Sequence, residues 1–393
     1  MVRVKPFAVE EWIDKHETTA KYNIAETCAA SVSINDLSEL SDSKDDGPPL
    51  SLSQKLLYGA IPGSEQLRQN VANLYSTDSR PPLPTENILI TAGGIQANFV
   101  TLYTLVGPGD HVICVYPTYQ QLYSVPESLG AEVSLWQLSE EDGFVPDFAD
   151  LEKLLQPNTK LIILNNPNNP TGVTISAALL EQITTLAAAH DITILSDEVY
   201  RPLFHDAPPH PPSILSFPKH NKTIATGSLS KAFSLAGIRV GWIASRDPSI
   251  IEACAKSRQY TTISVSQLDD QIATYALSHN VVHNLLARNV KLAQTNVAIL
   301  AAFIKQHNGI CSWTKPTAGT TAFVRFWKNG HPVDDVALCT RIFDETGVLF
   351  SPGGECFGGG KDFRGYVRVG YVCETDVLKE GLGKVTELLQ RGI

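Results

Sequence analysis

Lys222-Thr223-Ile224-Ala225-Thr226-Gly227-Ser228-Leu229-Ser230-Lys231-Ala232-Phe233 is the stretch whose reading decides the fold. Lys222 to Thr226 reads as a short strand, and two hydroxyls and a lysine follow its end at once. In an open α/β sheet, ligands bind beyond the carboxyl ends of the strands. Serines there can hold a phosphate, and a lysine of depressed pKa there can form a Schiff base. Arg239 follows in Gly237-Ile238-Arg239-Val240-Gly241, where the chain re-enters a strand, and can clamp the same phosphate. Each of these residues taken alone also reads as an ordinary surface group.

Working outward, the same arrangement repeats. The spacing predicts strands at Asn87–Thr91, His111–Tyr116, Glu132–Leu138, Leu161–Leu164, Ile192–Leu195, Lys222–Thr226 and Arg239–Ala244. Helical patterns over 95–106, 119–129 and 176–190 fall between them. Strands alternating with helices imply a mostly parallel sheet covered on both faces. Gly93-Gly94-Ile95 follows the first strand at a helix start, where backbone N–H groups and the helix dipole favour a phosphate; a tight turn is the other reading. Pro117-Thr118-Tyr119 follows the second, and Tyr119 is either a packed aromatic or a ring that stacks on a flat ligand. Asn165-Asn166-Pro167-Asn168-Asn169-Pro170 is a loop, and the amide of Asn169 can donate to a phenolate oxygen. Ser196-Asp197-Glu198-Val199-Tyr200 places a carboxylate at the end of an apolar strand, which needs a cationic partner: an Arg, a Lys or a protonated pyridine nitrogen.

Beyond this core, residues 7–16 and 63–75 read as amphipathic helices and 36–50 as an exposed loop. Residues 249–308 read as long helices; strands near 321–326 and 365–371 and a helix near 375–390 suggest a smaller α+β part. The chain has 393 residues, 43% hydrophobic and 18% charged, with a net charge of −10. Lys and Arg are scattered, so nucleic acid is not an expected partner. No apolar run is long enough for a membrane span, and the N-terminus lacks the pattern of a secretory signal. Seven widely spaced cysteines without CxxC read as free thiols in a reducing compartment, not as a metal site, so a cytoplasmic protein is expected.

The run Ser228-Leu229-Ser230-Lys231 with Arg239 downstream, and Asn169-Pro170-Thr171-Gly172 and Asp197-Glu198-Val199-Tyr200 upstream, resembles the aspartate-aminotransferase superfamily: the class I/II aminotransferases of fold type I, which use pyridoxal 5'-phosphate (PLP). The resemblance spans residues 55–390. It implies an α/β large domain at 46–285 with a seven-stranded sheet, and a small domain from 1–45 and 286–393. It implies that Lys231 carries the cofactor and, once freed, moves the proton between the substrate α-carbon and the cofactor. Asp197 would keep the pyridine nitrogen protonated; Tyr200 and Asn169 would bond the 3-oxygen; Tyr119 would stack on the ring. Ser228, Ser230, Arg239 and the backbone at Gly94 and Ile95 would hold the phosphate. Tyr58, in Leu57-Tyr58-Gly59-Ala60-Ile61-Pro62-Gly63, would reach the phosphate of the neighbouring subunit, which implies a homodimer with shared sites. Arg368 would clamp the substrate α-carboxylate.

The expected activity is transfer of an amino group from an L-amino acid to a 2-oxo acid, with PLP-dependent elimination, substitution or cyclisation as the alternative. The alternative arises at Cys28-Ala29-Ala30-Ser31-Val32-Ser33-Ile34-Asn35, where aminotransferases usually carry a glycine-containing loop. With Arg258-Gln259-Tyr260-Thr261-Thr262, this stretch is similar to a branch that includes capreomycidine synthase, a PLP enzyme that cyclises a hydroxylated arginine.

Overall fold

A computed structural model describes residues 4–43, 47–76 and 81–392. The chain opens with helix α1 (Ala8–His16), a two-residue strand β1 (Tyr22–Asn23) and helix α2 (Ile34–Glu39). Helix α2 corrects the loop expected from residue 36. Ser33 caps it, accepting from the Asp36 N–H at 3.1 Å while the Asp36 carboxylate accepts from the Ser33 N–H at 2.7 Å. That reciprocal capping box starts a helix that the polar composition of the segment hides. Helix α3 (Glu65–Leu74) follows, with the Ser64 side chain as its cap.

The main sheet is then laid down in alternation: β2 (Ile88–Thr91), α4 (Gly93–Leu105), β3 (His111–Tyr116), α5 (Gln121–Ser128), β4 (Glu132–Gln137), α6 (Phe148–Leu154), β5 (Thr159–Asn165), α7 (Ala177–Ala189), β6 (Thr193–Asp197), β7 (Thr223–Ser228) and β8 (Gly241–Ser245). The seven strands stand in the order β2-β8-β7-β6-β5-β3-β4, and β8 runs antiparallel to both of its neighbours. The strand expected at Arg239–Ala244 therefore begins two residues late. Arg239 lies in the left-handed region (φ 52°) after a 3₁₀ turn at Ala236–Ile238, a conformation that ladder pairing excludes.

Strand β5 shows why the sheet is central. Leu161 and Ile163 pack on one face, against α4 and α8 (Pro248–Arg258); Ile162 and Leu164 pack on the other, towards α3 and α7. A strand buried on both faces reads as a continuous apolar run, and removing one such side chain costs about 2–5 kcal/mol.

The remaining elements are helices α9 (Gln267–Ala276) and α10 (His279–Gln306), strands β9 (Cys311–Trp313), β10 (Thr321–Lys328) and β11 (His331–Pro332), α11 (Asp335–Thr346), β12 (Val348–Leu349), β13 (Ser351–Pro352), α12 (Gly353–Gly358), β14 (Tyr366–Gly370) and α13 (Thr375–Gln390). Strands β11-β10-β14-β13, with β9 beside β10, make a second, five-stranded sheet; β1 pairs with β12. We propose the domain division at 45/46 and 285/286. The first boundary lies outside the described residues, and the second falls within α10, a helix of 28 residues that packs on α9 as well as on β9 and α13.

Candidate active site

The carboxyl ends of β2, β5, β6 and β7 open on one cavity of about 380 Å³ whose other walls come from α1, the segment 23–28 and β14. Asp197 ends β6 and is 3% exposed. Its Oδ2 accepts from Asn98 Nδ2 at 2.8 Å and its Oδ1 from the Val199 N–H at 3.2 Å. Asn98 is held in turn by Thr226, whose hydroxyl donates to Oδ1 at 2.6 Å. Among the described residues no Lys or Arg forms an ion pair with Asp197. Burial pushes its carboxyl up to about 6, against the hydrogen bonds from Asn98 and Val199. The carboxylate thus has two neutral donors and lacks the cation that its burial requires.

Arg368 presents the opposite case. It sits on β14, 4% exposed. Its Nη2 donates to the Ala25 carbonyl at 3.0 Å and to Ser351 Oγ at 3.3 Å, and its Nη1 to Asn169 Oδ1 at 3.4 Å. Its Nε has no hydrogen-bond partner, and the guanidinium lies 5.2 Å from the centre of the Phe357 ring. Asn169 is itself placed by the Asn165 side chain, which accepts from the Asn169 N–H at 2.7 Å. A buried cation with partly vacant donors, facing a cavity, is suited to a carboxylate.

Lys231 follows β7. Its Nζ donates to Thr27 Oγ1, lies 3.6 Å from Cys28 Sγ and is 3.9 Å from the Glu26 carboxylate. Burial works against its charge, but Cys28, Tyr200 and Glu26 outweigh burial and hold the amine above the ordinary lysine value. This corrects the expected depression: the free amine is surrounded by groups that favour its ammonium form. Tyr200 is 2% exposed and its phenol is pushed up by burial. Tyr119 lines the cavity, with its hydroxyl donating to Glu10 at 2.7 Å and its ring tilted against Phe7.

Ser228, Ser230, Gly94, Ile95 and Arg239 line one end of the same cavity. Ser228 Oγ donates to Ser230 Oγ at 2.9 Å, and Arg239 Nη1 reaches Ser230 Oγ at 3.4 Å. Gly93 opens α4 with φ +78°, a left-handed conformation that favours glycine, and a Cβ there would stand 2.7 Å from Arg239 Nη2, so the guanidinium would have to shift away from the helix N-terminus. Tyr58 is 81% exposed and does not line the cavity.

Sequence reasoning placed the strand-end residues but missed Asn98, Thr226, Asn165, Thr27, Glu10 and Glu26. Asn98 carried a signal, being an amide among the apolar residues Ala97, Val100 and Leu102 of α4. Thr27 and Glu26 carried none, because they reach Lys231 across roughly two hundred residues of chain.

The pattern of aminotransferase classes I and II matches residues 40–385. The chain belongs to this family. Capreomycidine synthase of Streptomyces vinaceus is 29% identical over 384 residues, 97% of this chain and 93% of that one. The aspartate/prephenate aminotransferase of Thermus thermophilus is 27% identical, covering 86% of this chain and 84% of that one. Among solved structures, a PLP-dependent aminotransferase from Streptococcus suis is 38% identical, with a TM-score of 0.89 over 99% of this chain and 98% of that one. Pyridoxal 5'-phosphate is the cofactor these relationships imply, and the cavity fits it. The buried Asp197 lacks a cation, and hydroxyls, a helix N-terminus and Arg239 converge at one end as a phosphate requires.

Proposed function

We propose that this family member transfers the amino group of an L-amino acid to a 2-oxo acid, and that Lys231, Asp197 and Tyr200 carry the chemistry. The observation that carries the reading is that the Lys231 amine, the uncompensated Asp197 carboxylate and the partly vacant Arg368 guanidinium face one cavity. Bound PLP supplies an electron sink that acidifies the substrate Cα–H. Arg368 holds the α-carboxylate, and the Lys231 amine takes up and returns the α-proton. Asp197, oriented by Asn98, holds a proton on the ring nitrogen. Tyr200 and the Asn169 amide donate to the 3-oxygen, and Tyr119 covers the ring. Ser228, Ser230, Arg239 and the backbone at Gly94 and Ile95 hold the phosphate.

The α1 wall adds a statement about the substrate side chain. Glu10, Asp14 and Glu17 recur at helical spacing and, with Glu26, line the cavity; its basic residues are Lys231, Arg239 and Arg368. Each of those three already has a task, so a cationic side chain is favoured over an anionic one. We further propose a cytoplasmic homodimer in which Tyr58 reaches the neighbour's phosphate. All seven cysteines are unpaired, in keeping with a reducing compartment.

A panel of amino acids with no 2-oxo acid present tests the reaction. Amino transfer yields one equivalent of 2-oxo acid per site and stops. Elimination or cyclisation yields product catalytically with no acceptor, and a specific observation favours this second reading: the Cys28 thiol, which opens the stretch that departs from the aminotransferase pattern, lies 3.6 Å from Lys231 Nζ. In either reading Lys231→Ala abolishes turnover and the absorbance of lysine-bound cofactor.

A further inference from the structure

Segment 25–28 is fastened to the active site from several directions. The Asn23 side chain accepts from the N–H groups of Ala25 at 3.1 Å and Glu26 at 3.2 Å. The Glu26 carboxylate accepts from the N–H groups of Thr27 at 2.6 Å and Cys28 at 3.1 Å. The Thr27 carbonyl accepts from Thr320 Oγ1 at 2.6 Å, and the Ala29 N–H donates to the carbonyl of Lys231 itself at 3.1 Å. Gly370 completes the seat: a Cβ on it would fall 1.7 Å from the Glu26 carbonyl oxygen. An ordinary connecting segment on a surface has no such set of ties.

What this seat presents is the hydroxyl of Thr27, a residue 8% exposed. It accepts from Lys231 Nζ. A hydroxyl has one proton to donate and lone pairs to accept. Because Lys231 in its ammonium form only donates, the Thr27 oxygen is the acceptor of this pair.

We propose that Thr27 is a positioning residue for the Lys231 amine. Its hydroxyl fixes where the nitrogen sits, and favours the protonated form that the amine adopts after taking a proton from the substrate. The inference rests on the reading that Lys231 moves the α-proton. It adds a third group, from the N-terminal segment, to the Lys231 and Tyr200 pair.

The test compares Thr27→Val, which keeps the shape and loses the hydroxyl, with Thr27→Ser, which keeps the hydroxyl. The first readout uses the cofactor-free protein: the pH midpoint of Lys231 acetylation by acetic anhydride, followed by mass spectrometry. Thr27→Val is expected to lower the midpoint by about one unit, since an acceptor for the ammonium is lost; Thr27→Ser is expected to match wild type. The second readout is exchange of the substrate α-proton with deuterated water by the holoenzyme. Thr27→Val is expected to slow it by about ten-fold or more, with the half-saturating amino-acid concentration unchanged. An unchanged midpoint in Thr27→Val overturns the proposal, as does a Thr27→Ser variant as defective as Thr27→Val. Should Thr27→Val not fold, Thr27→Ala and Thr27→Gly take its place with the same expectations. If wild type exchanges the α-proton of no amino acid, the proposed function fails, while the acetylation midpoint still decides the role of Thr27.

Discussion

At the scale of the residue, Asp197 is the most exposed to test. Its carboxyl is raised to about 6 by burial in the chain alone. A raised folded-state value contributes stability that is present below the unfolded value, near 4, and is lost as pH rises through about 6. The cofactor-free protein should therefore lose about 2 kcal/mol from this group between about pH 4 and 7. A protonated ring nitrogen supplies the missing cation, so the gain in Tm on adding PLP should be larger at pH 7.5 than at pH 5. Thermal melts at the two pH values check this, and an equal gain would remove Asp197 as the partner of the ring. Asp197→Asn should stabilise the cofactor-free protein at neutral pH while activity collapses. Arg368→Ala should raise the half-saturating amino-acid concentration about 10- to 100-fold, the worth of a hydrogen bond to a charged group; steady-state kinetics checks it. Substrate preference follows the α1 wall: lysine or arginine should outperform glutamate as donor in the same assay.

At the scale of the element, the sequence was most legible where one strand's chemistry is local. Asp197 ends β6, Lys231 follows β7 within a few residues and Arg239 comes just before β8, and α13 begins and ends where its apolar spacing predicted. The exposed loop expected at 36–50 hid α2, because a capping box built from Ser33 and Asp36 looks like turn chemistry until the helix is seen. The tie between segment 25–28 and Lys231 was not legible, since its partners lie some two hundred residues apart and the segment is seated by Thr320 and by Gly370 of β14, which share no local pattern with it. Gly370 makes that dependence testable. Gly370→Ala should displace Glu26 and Thr27 and impair catalysis, while the Tm falls by no more than a few degrees. Melting curves beside kinetics check it, and unimpaired kinetics would show that the segment's seat does not matter.

At the scale of the whole molecule, apolar side chains remain uncovered along one stretch. Leu52, Leu56, Leu57 and Tyr58 are 92%, 68%, 73% and 81% exposed, and Tyr260 is 91% exposed. Large apolar groups left to water mark association surfaces. On the proposed homodimer, Leu57→Glu should shift the protein from dimer to monomer in sedimentation and release PLP, while Tyr58→Phe should leave the dimer intact and weaken PLP retention. A wild-type monomer with full PLP retention would sink the shared-site reading.

The pairing of β2 with β8 has one more consequence. Thr91 stands beside Gly241, so the turn at Gly93 and the side chain of Arg239 meet only after some 150 intervening residues have formed the rest of the sheet. Contacts so distant along the chain close late, since the entropy of closing the loop must be met first. Within the main sheet the phosphate cradle is then among the last parts to be completed. The coenzyme would arrive at a finished scaffold instead of guiding its assembly: PLP in a refolding mixture should raise the final yield of active protein and leave the rate of sheet formation unchanged.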